Sequence, residues 1–238
     1  MSIIDAFNDY FEIIPANTDA LKQEVYKLRY QVYCLEKGFL EPRANGLEYD
    51  EYDTRSSHYL IRHRETDCYM ATTRLVLPDK QDLQKLFPME AYNQIDNVER
   101  LKTIRRANLA ELSRFCVSKQ FRRRAHERDL LVTNDVDESR YSPREKASSA
   151  HLTLALFACA IRMSSEHNIH YWYAIMEPAL KRVFSTLGVH FVEMGPPATS
   201  VHYYGIRSPY TIKVDDLLND TAEKDLDYWK MLTDNGRF

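Results

Sequence analysis

The segment from Leu109 to Val117 constrains the fold most, because it has the composition of a buried strand yet carries a glutamate and an arginine. Regular alternation would place two sets of side chains on opposite faces: Glu111, Ser113 and Phe115 on one, and Leu112, Arg114 and Cys116 on the other. A β-bulge would move one of the charges to the other face. An isolated charge inside a covered sheet is costly. The segment therefore indicates a charged cleft used for chemistry or, equally, a structural ion pair or a solvent-facing edge strand.

The composition favours an ordinary globular protein over several other classes. The 238 residues, 44% of them hydrophobic, suffice for one large domain, which we expect to span residues 1–238. A net charge of -3 gives no general attraction to nucleic acid. The widely spaced Cys34, Cys68, Cys116 and Cys159 predict neither a metal site nor a disulfide framework. Acids near the start and the lack of a long apolar stretch predict a cytoplasmic protein without a membrane span.

The periodicity of apolar residues predicts a mixed α/β fold. We expect strands over residues 11–15, 57–63, 69–77, 109–117, 170–176 and 189–194, with a returning segment over 203–214. Helices are expected over about 20–37, 149–167, 178–187 and 215–232, the first of them capped by residues 17–19. Helices between strands imply a mixed sheet with helices on both faces. The polar, arginine-rich stretch at about 119–147 is expected to be an insertion.

Charged side chains occur in three places that a plain core would avoid. Arg29 stands among tyrosines on the first helix, in a stripe that also holds Tyr33. The loop over residues 38–54 collects acids, namely Glu41, Glu48, Asp50, Glu51 and Asp53. Arg74 interrupts an otherwise apolar strand. A ligand site would use such groups, but snorkelling arginines and a solvated loop would account for them as well.

Several short motifs follow one another in a specific order. They are Lys27–Tyr33 (KLRYQVY), Lys37–Phe39 (KGF), Glu48–Asp53 (EYDEYD), Ser57–Ile61 (SHYLI), Thr73–Leu75 (TRL) and Glu111–Phe115 (ELSRF). This ordered set resembles the acyl-homoserine-lactone autoinducer synthases and their relatives the N-acyl amino acid synthases, which have the acyl-CoA N-acyltransferase (GNAT) fold. The insertion and the segment Tyr204–Tyr210 (YGIRSPY) are similar to the acyltransferase branch associated with PEP-CTERM and exosortase systems.

The resemblance implies an enzyme that transfers a fatty acyl group from the phosphopantetheine thioester of acyl carrier protein to the amine of a small metabolite. An ammonium must lose a proton before it can attack, and Glu111 is the candidate general base. Backbone N–H groups around Phe115, Cys116 and Val117 would stabilise the oxyanion of the tetrahedral intermediate. No tightly bound cofactor is expected, because the acyl thioester is a co-substrate.

The acceptor pocket that the resemblance implies has seven side chains: Arg29, Tyr33, Phe39, Asp50, Asp53, Arg74 and Arg114. Carboxylates would hold the ammonium of the acceptor, and one or more arginines would hold its carboxylate. Arg29 has an alternative role as a structural partner of Asp50 or Asp53. The lactone synthases carry phenylalanine and tryptophan where this chain has Tyr33 and Phe39, which favours an amino acid or another amine over S-adenosylmethionine.

On the donor side, the resemblance favours a carrier protein. Members of the fold that use coenzyme A tend to have a glycine-containing loop after the reactive strand, whereas residues 119–124 contain no glycine. Arg122, Arg123 and Arg124 fit a docking surface for acidic acyl carrier protein, although a solvated basic loop would look the same. Candidates for the wall of an acyl tunnel, if they are not ordinary core, are Phe157, Tyr171, Trp172 and Tyr173.

Four other functions stay open from the sequence. A lactone synthase that uses S-adenosylmethionine and an acetyltransferase that depends on coenzyme A would both keep the fold. A catalytically silent binder of acyl carrier protein would keep the residues without turnover. A nucleic-acid-binding module would use Arg122–Arg128 and the many tyrosines, and the net charge argues against it.

Overall fold

A mixed β-sheet forms the centre of the protein. The structure, a computed structural model, describes residues 3–119, 152–186, 188–200 and 203–238. The strands are β1 (Phe11–Pro15), β2 (Ser56–His63), β3 (Tyr69–Val76), β4 (Leu109–Val117), β5 (Tyr171–Met176), β6 (Val192–Glu193), β7 (Ala198–Ser200) and β8 (Tyr203–Lys213). Their order across the sheet is β1-β2-β3-β4-β5-β8-β6, and β7 pairs with β8. The β4–β5 pair is parallel, and the other described pairs are antiparallel.

Helices connect and cover these strands. They are α1 (Ile3–Tyr10), α2 (Asp19–Tyr30), α3 (Pro88–Tyr92), α4 (Val98–Lys102), α5 (Leu152–His167), α6 (Pro178–Thr186), α7 (Val214–Lys224) and α8 (Leu226–Thr233). α2 begins where the Thr18 hydroxyl accepts a hydrogen bond from Leu21 N–H (3.2 Å), and it continues into a π-helical stretch, Gln31–Glu36. Short 3-10 turns, Glu51–Arg55 and Arg106–Asn108, precede β2 and β4.

Helices cover both faces of the sheet, as the sequence pattern predicts. α5 packs over β2, β3 and β4 on one face, and α2 packs over β2 and β3 on the other. Alternation along β2 shows the division, since Ile61 belongs to the large core beneath α5 and Leu60 to the smaller core beneath α2. Burial of these apolar layers is the main favourable contribution to folding. Over the described ranges, no helix has the length and apolar character needed to cross a membrane.

β4 departs from a regular strand in two ways. It pairs with β5 over Leu109–Leu112, and beyond that register the two strands separate. It also has a β-bulge, because Ser113 opposes Arg74 and Cys116 opposes Thr72, which leaves two residues of β4 opposite one of β3. At the bulge Arg114 adopts a left-handed backbone conformation (φ 54°). The sheet is therefore open at its middle, beside a kinked strand.

The bulge corrects the expected distribution of side chains along this strand. Leu112 packs in the core beneath α5, whereas Cys116 packs in the core beneath α2. Regular alternation would place these two side chains on one face, and the extra residue separates them. For the same reason Phe115 packs toward α5. The Arg114 guanidinium lies on the face that carries Glu111, beside the acidic loop (residues 38–54).

Other elements also differ from those predicted. The structure adds α1, which is not among the predicted elements although Ile3, Ile4 and Phe7 have the spacing of one helical face. The predicted C-terminal helix over about 215–232 is two helices, because the chain breaks at Asp225, whose carboxylate caps α8 by accepting from Tyr228 N–H (2.9 Å). The predicted strand over 189–194 shortens to β6. Beyond Lys119, the expected insertion lies outside the described residues.

Candidate active site

A cavity of about 680 Å³ opens where β4 and β5 separate. Its lining has a charged half and an apolar half, which meet at β4. The charged half includes Tyr33, Phe39, Asp50, Arg74, Glu111 and Arg114. The apolar half includes Phe115, Val117, Leu156, Phe157, Ala174 and Phe184. Concave sites that combine apolar walls with a few convergent polar groups commonly bind small molecules.

A buried group of ion pairs lies behind the charged half. Arg29 is fully buried; its Nε donates to Glu48, and its Nη1 and Nη2 donate to the two oxygens of Asp53 at 2.7 and 3.2 Å. Burial alone would raise the pKa of Glu48, but Arg29 and Arg114 outweigh it and lower that pKa to about 2. Arg29 and Arg74 likewise hold the pKa of Asp53 well below its usual range despite burial. The group stays ionised and ties α2 to the acidic loop.

Arg74 connects this buried group to the cavity. It is 1% exposed, yet it lines the cavity. Its Nη1 donates to Asp50 (2.6 Å) and Asp53 (3.1 Å), and its Nε donates to the Ser113 hydroxyl (3.1 Å). Among the described residues, these hydrogen bonds leave the Nη2 group of Arg74 without an acceptor.

Arg114 lines the same part of the cavity from the bulge. Its Nη2 donates to Glu48 (3.0 Å) and Asp50 (3.1 Å). Its Nε is buried without a hydrogen-bond partner in the described part of the chain, and its Nη1 makes no hydrogen bond there either. The two arginines therefore present donors to the cavity in addition to those that hold Asp50.

Glu111 stands where the two halves of the cavity meet. It is 3% exposed, and its Oε2 accepts a hydrogen bond from Met89 N–H (2.7 Å). Burial raises the pKa of Glu111 to about 7, and the Met89 N–H and the arginines Arg74 and Arg114 oppose that rise only in part. No hydrogen bond from a described residue occupies Oε1. A carboxyl group with a near-neutral pKa that faces a cavity suits a general base.

Aromatic rings close the apolar half. The Phe157 ring on α5 packs edge to face against Phe115 of β4 and Phe184 of α6, with centroid separations of 5.2 and 4.5 Å. Ala174, the last β5 residue paired with β4, contributes only a methyl group where the strands begin to separate. The result is an apolar slot between two strands, which suits a hydrocarbon chain better than a polar ligand.

Tyr33 and Phe39 form an aromatic wall on the charged side. The Tyr33 hydroxyl donates to the Phe115 carbonyl (3.0 Å), which ties the π-helical stretch to the bulged strand. The Arg114 guanidinium lies 5.7 Å from the centre of the Tyr33 ring, and the Lys37 ammonium lies 4.9 Å from that of Phe39. These cation–π contacts place positive charge beside the aromatic wall.

The structure brings most of the predicted acceptor residues to the cavity, with two corrections. Tyr33, Phe39, Asp50, Arg74 and Arg114 line it, together with Glu111. Arg29 and Asp53 are not part of the described lining, because they are buried in the ion-pair group behind it. This placement fits the alternative role of Arg29 as a structural partner.

The predicted donor residues are divided in the same way. Phe115 and Val117 line the cavity, but the bulge turns the Cys116 side chain toward α2. Phe157 lines the apolar half, whereas Trp172 and Tyr173 are fully buried core residues. Tyr171 lies partly buried beside the small core that contains Tyr173, away from the described lining. Arg122, Arg123 and Arg124 lie outside the described residues.

Two groups of the site were not among the predicted site residues. Glu48 bridges Arg29 and Arg114, and its place beside Asp50 in an acidic loop was the available signal. The Met89 N–H is the other group. It belongs to the backbone and comes from 22 residues before Glu111, so side-chain patterns carry no signal for it.

Comparison with known proteins agrees with this architecture. Residues 28–132 match the family model described as an acetyltransferase (GNAT) domain. No curated protein sequence matches the chain. Among solved structures, TofI, crystallised in a ternary complex with an inhibitor and MTA, is similar with a TM-score of 0.58 at 18% identity. That match covers 90% of this chain and 96% of TofI.

Two further structures have the same fold. BjaI, a CoA-dependent acyl-homoserine lactone synthase solved with SAM and isopentyl-CoA, has a TM-score of 0.55 at 19% identity over 90% of this chain and 88% of BjaI. FeeM, an N-acyl amino acid synthase from uncultured soil microbes, has a TM-score of 0.54 at 16% identity over 91% of this chain and 97% of FeeM. The predicted fold is confirmed: residues 28–132 match the GNAT acetyltransferase domain model, and the chain has the fold of the acyl-homoserine lactone synthases and FeeM.

Proposed function

We propose that this protein is an N-acyltransferase that moves a fatty acyl group from a thioester to the amine of a small metabolite. The observation that carries the proposal is the position of Glu111. This carboxyl group, whose pKa burial raises to about 7, stands at the junction of a charged and an apolar half of one cavity. An amine and an acyl chain bound in the two halves would meet beside it. The likeness in fold to a lactone synthase and to an N-acyl amino acid synthase supports the same class of reaction.

Glu111 acts as the general base in this mechanism. Its Oε1 takes a proton from the ammonium of the acceptor, and the neutral amine attacks the thioester carbonyl carbon to form the C–N bond. Backbone N–H groups of the bulged strand, around Phe115, Cys116 and Val117, stabilise the oxyanion of the tetrahedral intermediate. When the C–S bond breaks, the nitrogen loses its remaining extra proton. The thiolate takes up one proton, and the other leaves to solvent.

We propose an amino acid as the acceptor. Arg74 Nη2 and Arg114 Nη1, which have no acceptor among the described residues, offer a pair of donors for a carboxylate. Asp50 lies between the two arginines, and 26% of its side chain is exposed, so it can hold an ammonium. The Tyr33 and Phe39 wall would contact the acceptor's side chain.

We propose acyl carrier protein as the donor. The support is sequence-based: residues 119–124 have no glycine for a pyrophosphate cradle, and Arg122, Arg123 and Arg124 would attract an acidic partner. The fold is compatible with either donor, since BjaI is described as CoA-dependent. The association with PEP-CTERM and exosortase systems, suggested by residues 204–210, stays a prediction.

A lactone synthase is the second candidate. It is favoured by the likeness in fold to TofI and BjaI, whose structures hold MTA and SAM. In such an enzyme, the ammonium of S-adenosylmethionine would be acylated beside Glu111, in the same cavity. The two candidates differ in acceptor and product, so one experiment separates them.

The test incubates purified protein with acyl carrier protein or coenzyme A thioesters of several chain lengths, and with either a mixture of amino acids or S-adenosylmethionine. We expect mass spectrometry to detect an N-acyl amino acid, and Glu111→Gln to form it about 100-fold more slowly. Glu99→Gln is the control, because that carboxylate lies on an exposed helix. A lactone as the sole product would favour the second candidate. No acyl product with any donor, or unchanged turnover in Glu111→Gln, would overturn the proposal.

A further inference from the structure

The short helix α3 supplies the N–H group that binds Glu111, and a neighbouring glutamate holds that helix in place. Glu90 Oε2 accepts a hydrogen bond from the N–H of Phe87, the residue before the helix (2.9 Å). Pro88 begins the helix, and the next N–H group, that of Met89, donates to Glu111. Glu90 thus fixes the first turn of the helix, and the Met89 N–H group of that turn binds Glu111.

Glu90 is anchored from two directions. Arg106, in the 3-10 turn before β4, donates from Nη1 and Nη2 to both oxygens of Glu90, the latter at 2.5 Å. The same guanidinium donates to the carbonyl oxygens of Leu83 (2.7 Å) and Lys85 (3.0 Å). The Tyr173 hydroxyl donates to Glu90 Oε1 (3.1 Å). The Glu90 side chain is only 10% exposed. Because several donors hold its carboxylate, it has little freedom to rotate.

Tyr173 connects this anchor to the sheet beside Glu111. The two residues are directly paired in the parallel register of β4 and β5, and Tyr173 is fully buried. The Tyr173 ring packs edge to face on Phe87, at a centroid separation of 5.7 Å. The contacts form a closed circuit that runs from Glu111 through Met89, Glu90 and Tyr173 back to Glu111.

We propose that Glu90 is a positioning residue for Glu111: it holds Met89 N–H on Oε2 so that Oε1 faces the cavity. The inference rests on the proposed function of Glu111 as the base. In the structure as described, neither Glu90 nor Arg106 lines the cavity, so Glu90 acts through α3 and not on the substrate. Without the anchor the Glu111 carboxyl would sample orientations that do not reach the ammonium, and the rate would fall.

Several charged and titratable groups face Glu111, and the test must keep them constant. They are Arg74 from β3, Arg114 from β4, Glu90 from α3, Tyr173 from β5, and Tyr52 and Arg55 from the 3-10 turn before β2. The charge of Glu90 raises the pKa of Glu111, whereas the Met89 N–H lowers it. A substitution that removes the charge and the anchor together would mix two opposite effects.

A matched pair of variants separates these effects. Glu90→Gln removes the charge but keeps an oxygen that accepts from Phe87 N–H, and Glu90→Ala removes both. We expect Glu90→Ala to have a kcat about tenfold below that of Glu90→Gln, with the KM for the acyl donor within about twofold. The acidic limb of its kcat/KM profile should lie at higher pH than that of Glu90→Gln. Equal kcat values and equal limbs in the two variants would overturn the inference.

Hydrogen exchange gives a readout that does not depend on catalysis. In protein labelled at methionine nitrogen, we expect the Met89 amide of Glu90→Ala to exchange about tenfold faster than that of Glu90→Gln. Equal exchange would overturn the positioning role even if the protein transferred no acyl group. Faster exchange without acyl transfer would instead count against the proposed function alone.

A milder variant serves if Glu90→Ala does not fold. Tyr173→Phe keeps the ring on Phe87 and removes one donor to Glu90. We expect it to lower kcat and speed exchange of the Met89 amide, each by about threefold, since Glu90 loses one donor and keeps those of Arg106. If neither quantity changes, the inference is wrong.

Discussion

Leu112 and Ala174 are the last two residues at which β4 and β5 are paired, and the cavity opens immediately beyond them. The pairing register of β4 and β5 therefore sets the position at which the sheet opens to a ligand. On the apolar side, the cavity is lined by the rings of Phe157 and Phe184, which pack edge to face. On the other side, the same strand carries Glu111 one residue before the opening.

The Phe157 ring should limit the length of the acyl chain. We expect Phe157→Leu to raise the ratio of kcat/KM for a longer over a shorter acyl thioester by about tenfold, because a smaller side chain deepens the slot. Phe7→Leu is the control, since Phe7 is equally buried in the same core but lies away from the described lining. The prediction is wrong if both variants lose similar thermal stability and neither changes the ratio of kcat/KM between the longer and the shorter acyl thioester.

Glu111 should make folding less favourable as the pH rises. Its pKa of about 7 in the folded protein lies above the ordinary 4.5, so the folded state keeps a proton that the unfolded chain releases. The cost begins above pH 4.5 and is complete above pH 7, where it amounts to about 3 kcal/mol. We therefore expect Glu111→Gln to be more stable than the wild type at pH 8 and equally stable near pH 4, measured by urea unfolding. If the two proteins differed in unfolding free energy by the same amount at both pH values, titration of Glu111 would be excluded as the cause of that difference.

Arg29 should be essential for stability and not for direct binding. Arg29→Met leaves Glu48 and Asp53 buried without their main partner, which should cost about 3–5 kcal/mol of unfolding free energy. The pKa of Glu48 is lowered to about 2, so its contribution to stability is present above about pH 4.5 and is lost as the pH falls toward 2. The difference in unfolding free energy between Arg29→Met and the wild type should therefore shrink as the pH falls from about 4.5 toward 2.

The control for Arg29→Met is Arg62→Met. Arg62 pairs with Glu12 at a partly exposed site, where solvent screens the pair and its contribution to stability is small. If denaturant unfolding shows the same small loss for both variants, the buried ion-pair group does not stabilise the fold as we describe.

Arg114 should determine recognition of the acceptor's carboxylate. Arg114→Lys keeps the charge but loses the planar fork, so we expect the KM for the amino acid to rise about tenfold while the KM for the acyl donor stays constant. The matched test uses an acceptor analogue that has the amine but no carboxylate. Its KM should be the same with both proteins, and a similar rise for analogue and amino acid would rule out a carboxylate contact.

Sequence patterns are sufficient for the architecture and for the choice of Glu111 as a residue that lines a cavity. Strand alternation, helical periodicity and motif order predicted the mixed sheet and the acyltransferase fold, which the structure and the comparisons confirm. They also single out Glu111, because a carboxylate inside an apolar strand is costly unless it is paired or used for chemistry. The structure places this residue in a cavity, as that reasoning expected.

Other features depend on tertiary contacts that local patterns do not encode. Arg29 and Arg114 each stand near an aromatic residue and an acid in the sequence, yet only packing decides that Arg29 is buried behind the cavity wall while Arg114 lines the cavity. Phe157 and Trp172 have the same apolar character, but the Trp172 indole N–H finds Ser164 (2.8 Å) within the core. The sequence allows a bulge in β4, but only the register with β3 places it at Arg114.

The extra residue at Arg114 makes the spacing of β4 as important as its composition. If Arg114 paired with β3 as an ordinary residue of the ladder, two-residue periodicity would continue downstream and every later side chain would change sides. Cys116 would then turn its thiol into the slot, and Val117 would point into the layer under α2. Deleting Arg114 would instead remove the bulge and leave these side chains on their present sides. Related chains can therefore exchange residue types along this strand, but an insertion or deletion elsewhere in it would invert the polarity of both binding surfaces at once.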